Sequence, residues 1–316
     1  MKQEEKRMHK DFVSIHDYSV EEIKKLTDLT EDVKKNPGKY TTALKGKTLG
    51  MIFQKSSTRT RVSFEVGIFQ LGGSGLFLSS ADIQLGRGES VPDTAKVLSR
   101  YLDCIMARVY AHQDILDLSK YSTIPVINGL SDLLHPCQVM ADFFTIKEHF
   151  GETKGLKVVY IGDGNNMAHS LMYGAAKYGS DMTIISPSGY KPNEEVVRNA
   201  QEDAKKTGAK IVVTDNIDEG ITDANVVYTD VWASMGQEKE AEERKKSFAK
   251  FQVNGQLMAK ANKNAIFLHC LPAKRGLEVT DEVIDSSYSR VWNEAENRLH
   301  AQKAIMLSLM NKDFAV

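Results

Sequence analysis

Cysteine is scarce in this sequence. The chain of 316 residues holds three, Cys104, Cys137 and Cys270, and no two of them form a C-x-x-C pair. Disulfide frameworks and structural zinc sites need more closely spaced cysteines, so the sequence predicts neither. Reduced thiols are typical of the cytoplasm, and we therefore expect a cytoplasmic location.

Long apolar runs and an excess of one charge are missing too. No stretch approaches the roughly 18 apolar residues of a transmembrane helix, and the charged opening MKQEEKRMHKDF lacks the apolar core of a secretory signal. The formal net charge is −1, whereas proteins that bind nucleic acids are usually basic. We therefore expect no membrane and no nucleic acid as a partner, while a small anion held by a local group of arginines remains compatible with the composition.

The sequence does hold enough apolar residues for two cores, since 41% of it is hydrophobic. Short apolar runs alternate with helical stretches, and this alternation predicts an α/β protein with two doubly wound parallel-sheet domains. The predicted strands are 49–53, 105–109 and 124–127, followed by 157–161, 182–186, 210–214, 225–229 and 265–269. The polar segment 151–155 has a glycine at each end, which places the domain boundary between 1–150 and 151–316.

The sequence also predicts where several helices begin and end. Ser19 and Glu22 have the spacing of a capping box, so a helix should begin there and stop at the Asn36-Pro37 pair. Further helices are predicted over 58–71 and 139–150. A terminal helix over 292–310 is expected to pack back across the cleft between the two domains.

Polar residues collect where the predicted strands end. Ligands of open α/β sheets bind outside the carboxyl ends of the strands. The segments that follow the strands are SSTRTR (56–61), Arg108, NGLSDLLHPCQ (128–138), GDGNN (162–166), DVWASMG (230–236) and HCLPA (269–273). Their side chains are capable of catalysis, so the sequence predicts an enzyme site in the cleft between the two domains.

The segment SSTRTR stands at a strand-to-helix turn. The free N–H groups of a helix start, the hydroxyls of Ser57, Thr58 and Thr60, and the guanidinium of Arg59 together suit a phosphate. On these six residues alone, a capped helix start with solvated arginines is an equally good interpretation.

The other strand ends also leave alternatives open. Arg108 needs either an anion or a salt bridge, and His135, with Gln138 on the same turn, suits a polarised carbonyl or an ordinary structural role. Asp230 suits a substrate ammonium or a loop cap. Cys270 suits a nucleophile, an orienting group or an inert thiol.

In this order, the motifs resemble those of the aspartate/ornithine carbamoyltransferase family, over residues from about 40 to 310. SSTRTR is similar to the family's carbamoyl phosphate motif, and HPCQ (135–138) to its second shared motif. DVWASMG, HCLP (269–272) and GDGNN resemble the branch of the family that uses ornithine.

The resemblance implies roles for individual residues. Carbamoyl phosphate would be bound by Ser57, Thr58, Arg59, Thr60, Gln84, Arg108, His135, Gln138 and Arg298. Ornithine would be bound by Asn166, Asp230, Ser234, Met235, Cys270 and Leu271, and the catalytic residues would be Asp230, Cys270, Arg108 and His135. Gln84 resembles a residue that family members offer across a subunit interface, which implies a homotrimer with shared active sites.

The implied reaction transfers the carbamoyl group of carbamoyl phosphate to the side-chain amine of L-ornithine, giving citrulline and phosphate, a step of arginine biosynthesis. It needs no metal and no organic cofactor. Putrescine carbamoyl transfer is the alternative within the family, although the resemblance ties the S-M-G segment (234–236) to the amino-acid end of ornithine. A nicotinamide-dependent dehydrogenase would need a full G-x-G-x-x-G, and GDGNN lacks the third glycine. A non-enzymatic binding module would usually have lost Arg59, His135, Asp230 or Cys270.

Overall fold

The chain divides into two compact units in a computed structural model that describes residues 9–233 and 240–316. Unit 1 comprises Met1–Asp17, Lys24–Cys137 and Arg298–Val316, and unit 2 comprises Tyr18–Ile23 and Gln138–Asn297. Unit 1 is therefore assembled from separated parts of the sequence, and its last part follows unit 2 in the chain.

Unit 1 is built on a four-stranded parallel sheet with the order β2-β1-β3-β4. The strands are β1 (Thr48–Phe53), β2 (Ser74–Ser79), β3 (Cys104–Arg108) and β4 (Val126–Leu130). The helices that start in or belong to this part of the chain are α2 (Thr58–Gln70), α3 (Val91–Leu98), α4 (His112–Tyr121) and α5 (Pro136–Phe150). Buried apolar residues of the strands and of α3 and α4, such as Ile52, Ile105 and Ile115, form one core.

Unit 2 is built on a five-stranded parallel sheet with the order β7-β6-β5-β8-β9. Its strands are β5 (Lys157–Ile161), β6 (Asp181–Ile185), β7 (Ile211–Thr214), β8 (Val226–Thr229) and β9 (Ile266–Leu268). Its helices are α6 (Asn166–Tyr178), α7 (Glu194–Ala204), α8 (Ile217–Ile221), α9 (Ala241–Phe248), α10 (Gly255–Met258) and α11 (Asp281–Ile284). The core joins β5 and β8 to aromatic residues that include Trp232 and Phe248.

Two further helices change unit along the chain. The helix α1 (Val20–Lys35) begins in unit 2 and ends in unit 1, and α12 (Val291–Met310) does the same. The predicted capping box starts α1: the Ser19 backbone N–H donates to Glu22 Oε2 over 2.7 Å, and the Glu22 N–H donates to Ser19 Oγ over 3.1 Å.

The strand orders place the motifs at the topological switch points of both sheets. In unit 1 the order reverses between β1 and β3, whose carboxyl ends carry the SSTRTR segment and Arg108. In unit 2 it reverses between β5 and β8, whose carboxyl ends carry GDGNN and Asp230. A crevice forms at such a point because the chain leaves the two adjacent strands in opposite directions.

The predicted class, two doubly wound parallel sheets, is confirmed, but the sequence did not predict β2. This strand lies at the edge of its sheet, and Leu76 and Phe77 are 48% and 36% exposed. Its mixture of exposed and half-buried residues has neither the alternation nor the continuous apolar run that identifies a strand. None of the helices among residues 9–233 and 240–316 combines the length and the apolarity that crossing a membrane would require.

Candidate active site

The start of α2 forms the centre of a first group of candidate site residues, which lies in unit 1. Ser57 is the N-cap residue, in extended conformation, and its Oγ accepts the Thr60 backbone N–H over 3.2 Å. Thr60 is fully buried, whereas Thr58 is exposed and Arg59 is half-buried. The sequence folds this way because a serine at the N-cap satisfies one of the donors that a helix start leaves free.

Two arginines from distant parts of unit 1 meet at the buried hydroxyl of Thr60. Arg108, at the end of β3, donates to Thr60 Oγ1 over 3.4 Å, and Arg298, in α12, donates to the same atom over 3.0 Å. Both arginines are buried. Two guanidiniums at one hydroxyl bring two positive charges together, and such a pair suits an anionic ligand.

His135 lies within the electrostatic reach of the same cluster. Burial lowers its pKa well below the usual 6.5, and the positive charges of Arg298, Arg108 and Arg59 lower it further. The imidazole is therefore neutral at pH 7. A neutral imidazole can donate one hydrogen bond to a carbonyl oxygen without adding another positive charge.

Two residues predicted to bind carbamoyl phosphate, Gln84 and Gln138, contact neither the Thr60 hydroxyl nor each other in the contacts described for them. Gln84 is exposed in a short 3-10 helix, Gln84–Arg87, and its side chain makes no hydrogen bond to another described residue. Gln138 is buried in unit 2, where its amide nitrogen donates to Asp142 Oδ1 over 2.7 Å and to Glu294 Oε1 over 3.0 Å. Neither side chain contributes a described contact to the Thr60 hydroxyl.

A second group of candidate site residues lies in unit 2, at the carboxyl ends of β5, β8 and β9. Asp230 is 7% exposed, and each of its carboxylate oxygens has a donor. The Cys270 thiol donates to Oδ1 over 3.2 Å, and the Asn165 amide donates to Oδ2 over 3.0 Å. The strands thus place a thiol, an amide and a carboxylate together, as a site for an amine requires.

Asn165 holds two roles at once. Its side-chain oxygen caps α6 by accepting the N–H groups of Met167 and Ala168, while its amide nitrogen contacts Asp230. Asn166 is half-buried at the first position of the helix. The sequence indicated both amides, and only Asn166 was assigned to ornithine.

A buried network fixes the residues around Cys270. The His269 backbone N–H donates to Glu294 Oε2 over 2.9 Å, and its Nδ1 accepts the Leu271 N–H over 2.9 Å. The ring proton then sits on Nε2, which lies 3.4 Å from Glu278 Oε1. Leu271 is held at φ 58°, a left-handed conformation that is unusual for a residue other than glycine. The motif H-C-L-P therefore marks a shaped backbone as well as a thiol.

The thiol of Cys270 is protonated in this environment. Shielding from solvent raises its pKa well above 9, and the charges of Asp230 and Glu294 raise it further. A cysteine nucleophile needs the opposite, an electropositive setting that favours the thiolate. The geometry thus favours an orienting or donating role over the nucleophilic one that the sequence left open.

Asp230, His269 and Cys270 also form the one group of described residues whose side chains could share a metal ion, with ligand atoms within 4.8 Å of one another. Both ring nitrogens of His269 already have partners, Leu271 and Glu278. The thiol is protonated and donates to Asp230. These contacts would have to break before a metal could bind, because metal ligands must be deprotonated.

Ser234 and Met235, two of the predicted ornithine contacts, lie outside the described residues. Glu294 was not singled out from the sequence, although it organises the network: it accepts from Gln138, from the Tyr228 hydroxyl over 3.0 Å and from His269. Its signal was available in the E-A-E-N-R run that also carries Arg298.

Two stretches of the chain match the models of a known protein family. The model described as the aspartate/ornithine carbamoyltransferase carbamoyl-P binding domain matches residues 10–148, and that of the Asp/Orn binding domain matches residues 154–309. An ornithine carbamoyltransferase of Oceanobacillus iheyensis is 57% identical over 98% of this chain and 96% of its own. The anabolic ornithine carbamoyltransferase of Pyrococcus furiosus is 54% identical, with 95% and 96% covered.

A solved structure extends the match to three dimensions. The ornithine carbamoyltransferase from Pyrococcus furiosus superimposes with a TM-score of 0.92 and covers 96% of this chain and 97% of its own. Two family models span most of the described sequence, and relatives above 50% identity cover nearly all of it. The chain belongs to the aspartate/ornithine carbamoyltransferase family.

Proposed function

We propose that this protein transfers the carbamoyl group of carbamoyl phosphate to the side-chain amine of L-ornithine, producing L-citrulline and phosphate for arginine biosynthesis. The observation that carries the proposal is the pair of buried guanidiniums on Thr60 beside a neutral histidine. Relatives above 50% identity carry the name ornithine carbamoyltransferase. Residues 1–150 would form the carbamoyl phosphate domain, and residues 151–316 the ornithine domain.

Carbamoyl phosphate requires two kinds of contact. Its phosphate would accept from the hydroxyls and N–H groups of Ser57, Thr58 and Thr60 at the start of α2, and from Arg59, Arg108 and Arg298. Its carbonyl oxygen, which gains negative charge during attack, would accept from His135. Preformed donors of this kind are worth about 3–4 kcal/mol each in transition-state stabilisation. Gln84 and Gln138 would add polar contacts to the same substrate.

L-Ornithine presents an amine to react and an amino-acid end to recognise. Asp230 would pair with an ammonium of the substrate, and Cys270 and Leu271 would line the reacting end. Asn166, Ser234 and Met235 would bind the amino-acid end. The contacts of Asp230 with Asn165 and Cys270 support this arrangement, because they fix the carboxylate before substrate binds.

The chemical step follows from these contacts. The neutral side-chain amine forms a bond to the carbamoyl carbon, giving a tetrahedral species whose oxygen carries the negative charge. The bond from that carbon to the phosphate oxygen then breaks, and phosphate leaves with the bonding electrons. The amine nitrogen loses one proton to solvent or to the departing phosphate. Positive charge from Arg108 and Arg298 stabilises both developing anions.

Acceptor choice tests the proposed function directly. Ornithine is putrescine with an α-carboxylate, so a site built for the amino-acid end leaves buried polar groups unpaired when putrescine binds, at about 1–3 kcal/mol per group. Two such losses predict a preference for ornithine of about 10²-fold or more in kcat/KM. Citrulline formation and putrescine carbamoylation, measured at saturating carbamoyl phosphate, provide the comparison. Equal rates would contradict ornithine as the substrate.

We also propose a homotrimer in which Gln84 serves the site of a neighbouring copy. Support comes from an exposed apolar surface on unit 1, formed by Val62, Val66, Phe69, Leu76 and Phe77. The first three lie along one face of α2, and the last two lie on the edge strand β2. Exposed apolar side chains on two elements in contact are typical of an interface, and Gln84 is exposed in the segment that follows β2.

A further inference from the structure

Arg244 is a buried cation on α9, 6% exposed, and no sequence motif identifies it. Its Nη1 donates to Asp163 Oδ2 over 2.8 Å and to the Trp232 carbonyl oxygen over 2.9 Å. Its Nε donates to Glu240 Oε2 over 2.9 Å. One side chain therefore contacts three different segments of unit 2.

Two of those points belong to the loops at the switch point of the unit 2 sheet. Asp163 stands in the GDGNN turn after β5, two residues before Asn165, and Trp232 stands two residues after Asp230 in the loop after β8. Asn165 and Asp230 contact each other over 3.0 Å. Arg244 thus ties together the two loops that hold this pair in register.

Aromatic side chains hold the guanidinium in place. Its carbon lies 4.9 Å from the centre of the Tyr190 ring, and Tyr190 packs on Phe248 at 4.8 Å between ring centres. Trp232 stacks on Phe248 at 5.8 Å. The rings restrict the rotamers of Arg244, so its three hydrogen bonds can position the loops as a rigid clamp.

Charge provides a second reason for the contact. Burial raises the pKa of Asp163 and the Asp230 carboxylate raises it further, while Arg244 lowers it again. Without the guanidinium, the charge of Asp230 would act on Asp163 with no such compensation. Removal of Arg244 should therefore alter both the shape and the charge of this edge of the sheet.

We propose that Arg244 is a positioning residue for acceptor selectivity: by clamping the loops after β5 and β8, it aligns Asn166 and the Asn165–Asp230 pair, where the amino-acid end of the acceptor would bind. This inference rests on the proposed function, because it assumes that ornithine is the acceptor. It predicts a loss that depends on the acceptor. The kcat/KM for ornithine, which carries the amino-acid end, should fall. The kcat/KM for putrescine, which lacks that end, should change little.

The test compares Arg244→Met with a control variant that also removes a buried, paired cation of unit 2. Lys177 forms another buried ion pair in unit 2, with Asp203 over 2.9 Å, and Lys177→Met removes a buried cation of similar length. Both variants should lower the melting temperature. A role confined to stability would leave the selectivity of both unchanged, since a structural loss lowers the activity with either acceptor alike.

The measured quantity is the selectivity ratio, kcat/KM for L-ornithine divided by kcat/KM for putrescine. If putrescine turns over too slowly to measure, its inhibition constant against ornithine takes the place of its kcat/KM. Arg244→Met should lower this ratio by about tenfold or more and leave the KM for carbamoyl phosphate within about twofold. Lys177→Met should leave the ratio unchanged. Arg244→Lys, which keeps the charge but lacks the planar fork, should recover only part of the loss.

The outcomes separate the inference from the function on which it rests. If the wild-type protein forms no citrulline, the proposed function itself is wrong. If the wild type prefers ornithine and Arg244→Met keeps the full preference, the function stands and the positioning role is overturned. Equal loss of the ratio in Lys177→Met would also overturn it, because the effect would then follow from any buried ion pair.

Discussion

At the scale of single residues, Arg59 offers the most direct test of the anion site. It is the second residue of α2, and its charge reaches His135. Arg59→Ala should raise the KM for carbamoyl phosphate by about 10- to 100-fold, because a hydrogen bond between charged groups contributes about 1.5–3 kcal/mol. Initial rates at low carbamoyl phosphate measure the change. Arg100→Ala, which removes an exposed arginine of the same unit, is the control and should leave the KM as it was.

Cys270 should behave as a thiol rather than as a thiolate. Because its surroundings raise its pKa well above 9, alkylation by iodoacetamide at pH 7.5 should be much slower than that of a free thiol. Cys270→Ser, which keeps a donor to Asp230, should retain more activity than Cys270→Ala. A rapid alkylation, or complete inactivity of the serine variant with its fold intact, would restore the nucleophilic interpretation.

His135 should make the protein less stable in acid. Its folded pKa lies below the unfolded value of 6.5, so the folded state binds fewer protons there than the unfolded state. The free energy of unfolding should therefore be insensitive to this histidine above pH 6.5. As the pH falls below that value, the free energy of unfolding should decrease by up to about 1.4 kcal/mol per pH unit. Urea unfolding between pH 7.5 and pH 5 measures this slope.

The comparison variant for that measurement is His135→Gln, which cannot titrate in this range. Its unfolding free energy should depend less on pH than that of the wild type, even if it is lower at pH 7.5. The difference between the two slopes isolates His135 from His112 and His149, whose pKa values are also lowered by burial. Parallel slopes would mean that the buried imidazole contributes nothing to acid sensitivity.

How far the sequence predicts the site depends on the kind of residue. Arg108 ends a strand, Asp230 follows one directly and Ser57 precedes the helix after β1, so strand periodicity and the switch-point rule locate them. Glu294 lies 25 residues from His269, and Arg244 lies 81 residues from Asp163. Because their contacts depend on tertiary packing, no local pattern could have identified their partners.

At the scale of the elements, the close approach of α5 and α6 depends on Gly174. A β-carbon there would lie 2.5 Å from Val139 Cγ1 and 2.6 Å from Phe143 Cε2, closer than packed atoms can approach. Gly174→Ala should therefore destabilise the protein by about 1–3 kcal/mol, despite the better helix propensity of alanine. Thermal unfolding measures the change. Gly38→Ala, where a β-carbon meets nothing within 4 Å, should change stability little.

Elements also differ in how well their sequences predict them. The buried strand β5 has the predicted limits of 157–161, because four successive buried residues form an unmistakable apolar run. The edge strand β2 was not predicted, because its residues are exposed or half-buried in no regular order. Edge position alone does not hide a strand, because the edge strand β7 (Ile211–Thr214) lies within the predicted 210–214, where its sequence is a run of β-branched residues.

At the scale of the whole molecule, the shared-site trimer predicts complementation. A Gln84→Ala variant and an Arg108→Ala variant should each be nearly inactive, since each lacks one contact to carbamoyl phosphate. In hybrid trimers, some sites would combine an intact Gln84 from one copy with an intact Arg108 from another. Unfolding and refolding the two variants together should therefore restore part of the activity. Confirmed hybrids that stay inactive would contradict a shared site.

Because unit 1 is built from separated parts of the sequence, the order of synthesis on the ribosome affects when it can fold. Residues 138–297 contain all but six residues of unit 2, and they are synthesised before Arg298–Val316, the last part of unit 1. Arg298, which donates to Thr60, and Met306, which packs near Gly67, belong to that last part. Unit 1, although most of it is encoded first, is therefore completed only when its last part has left the ribosome, after the chain of unit 2 has already emerged.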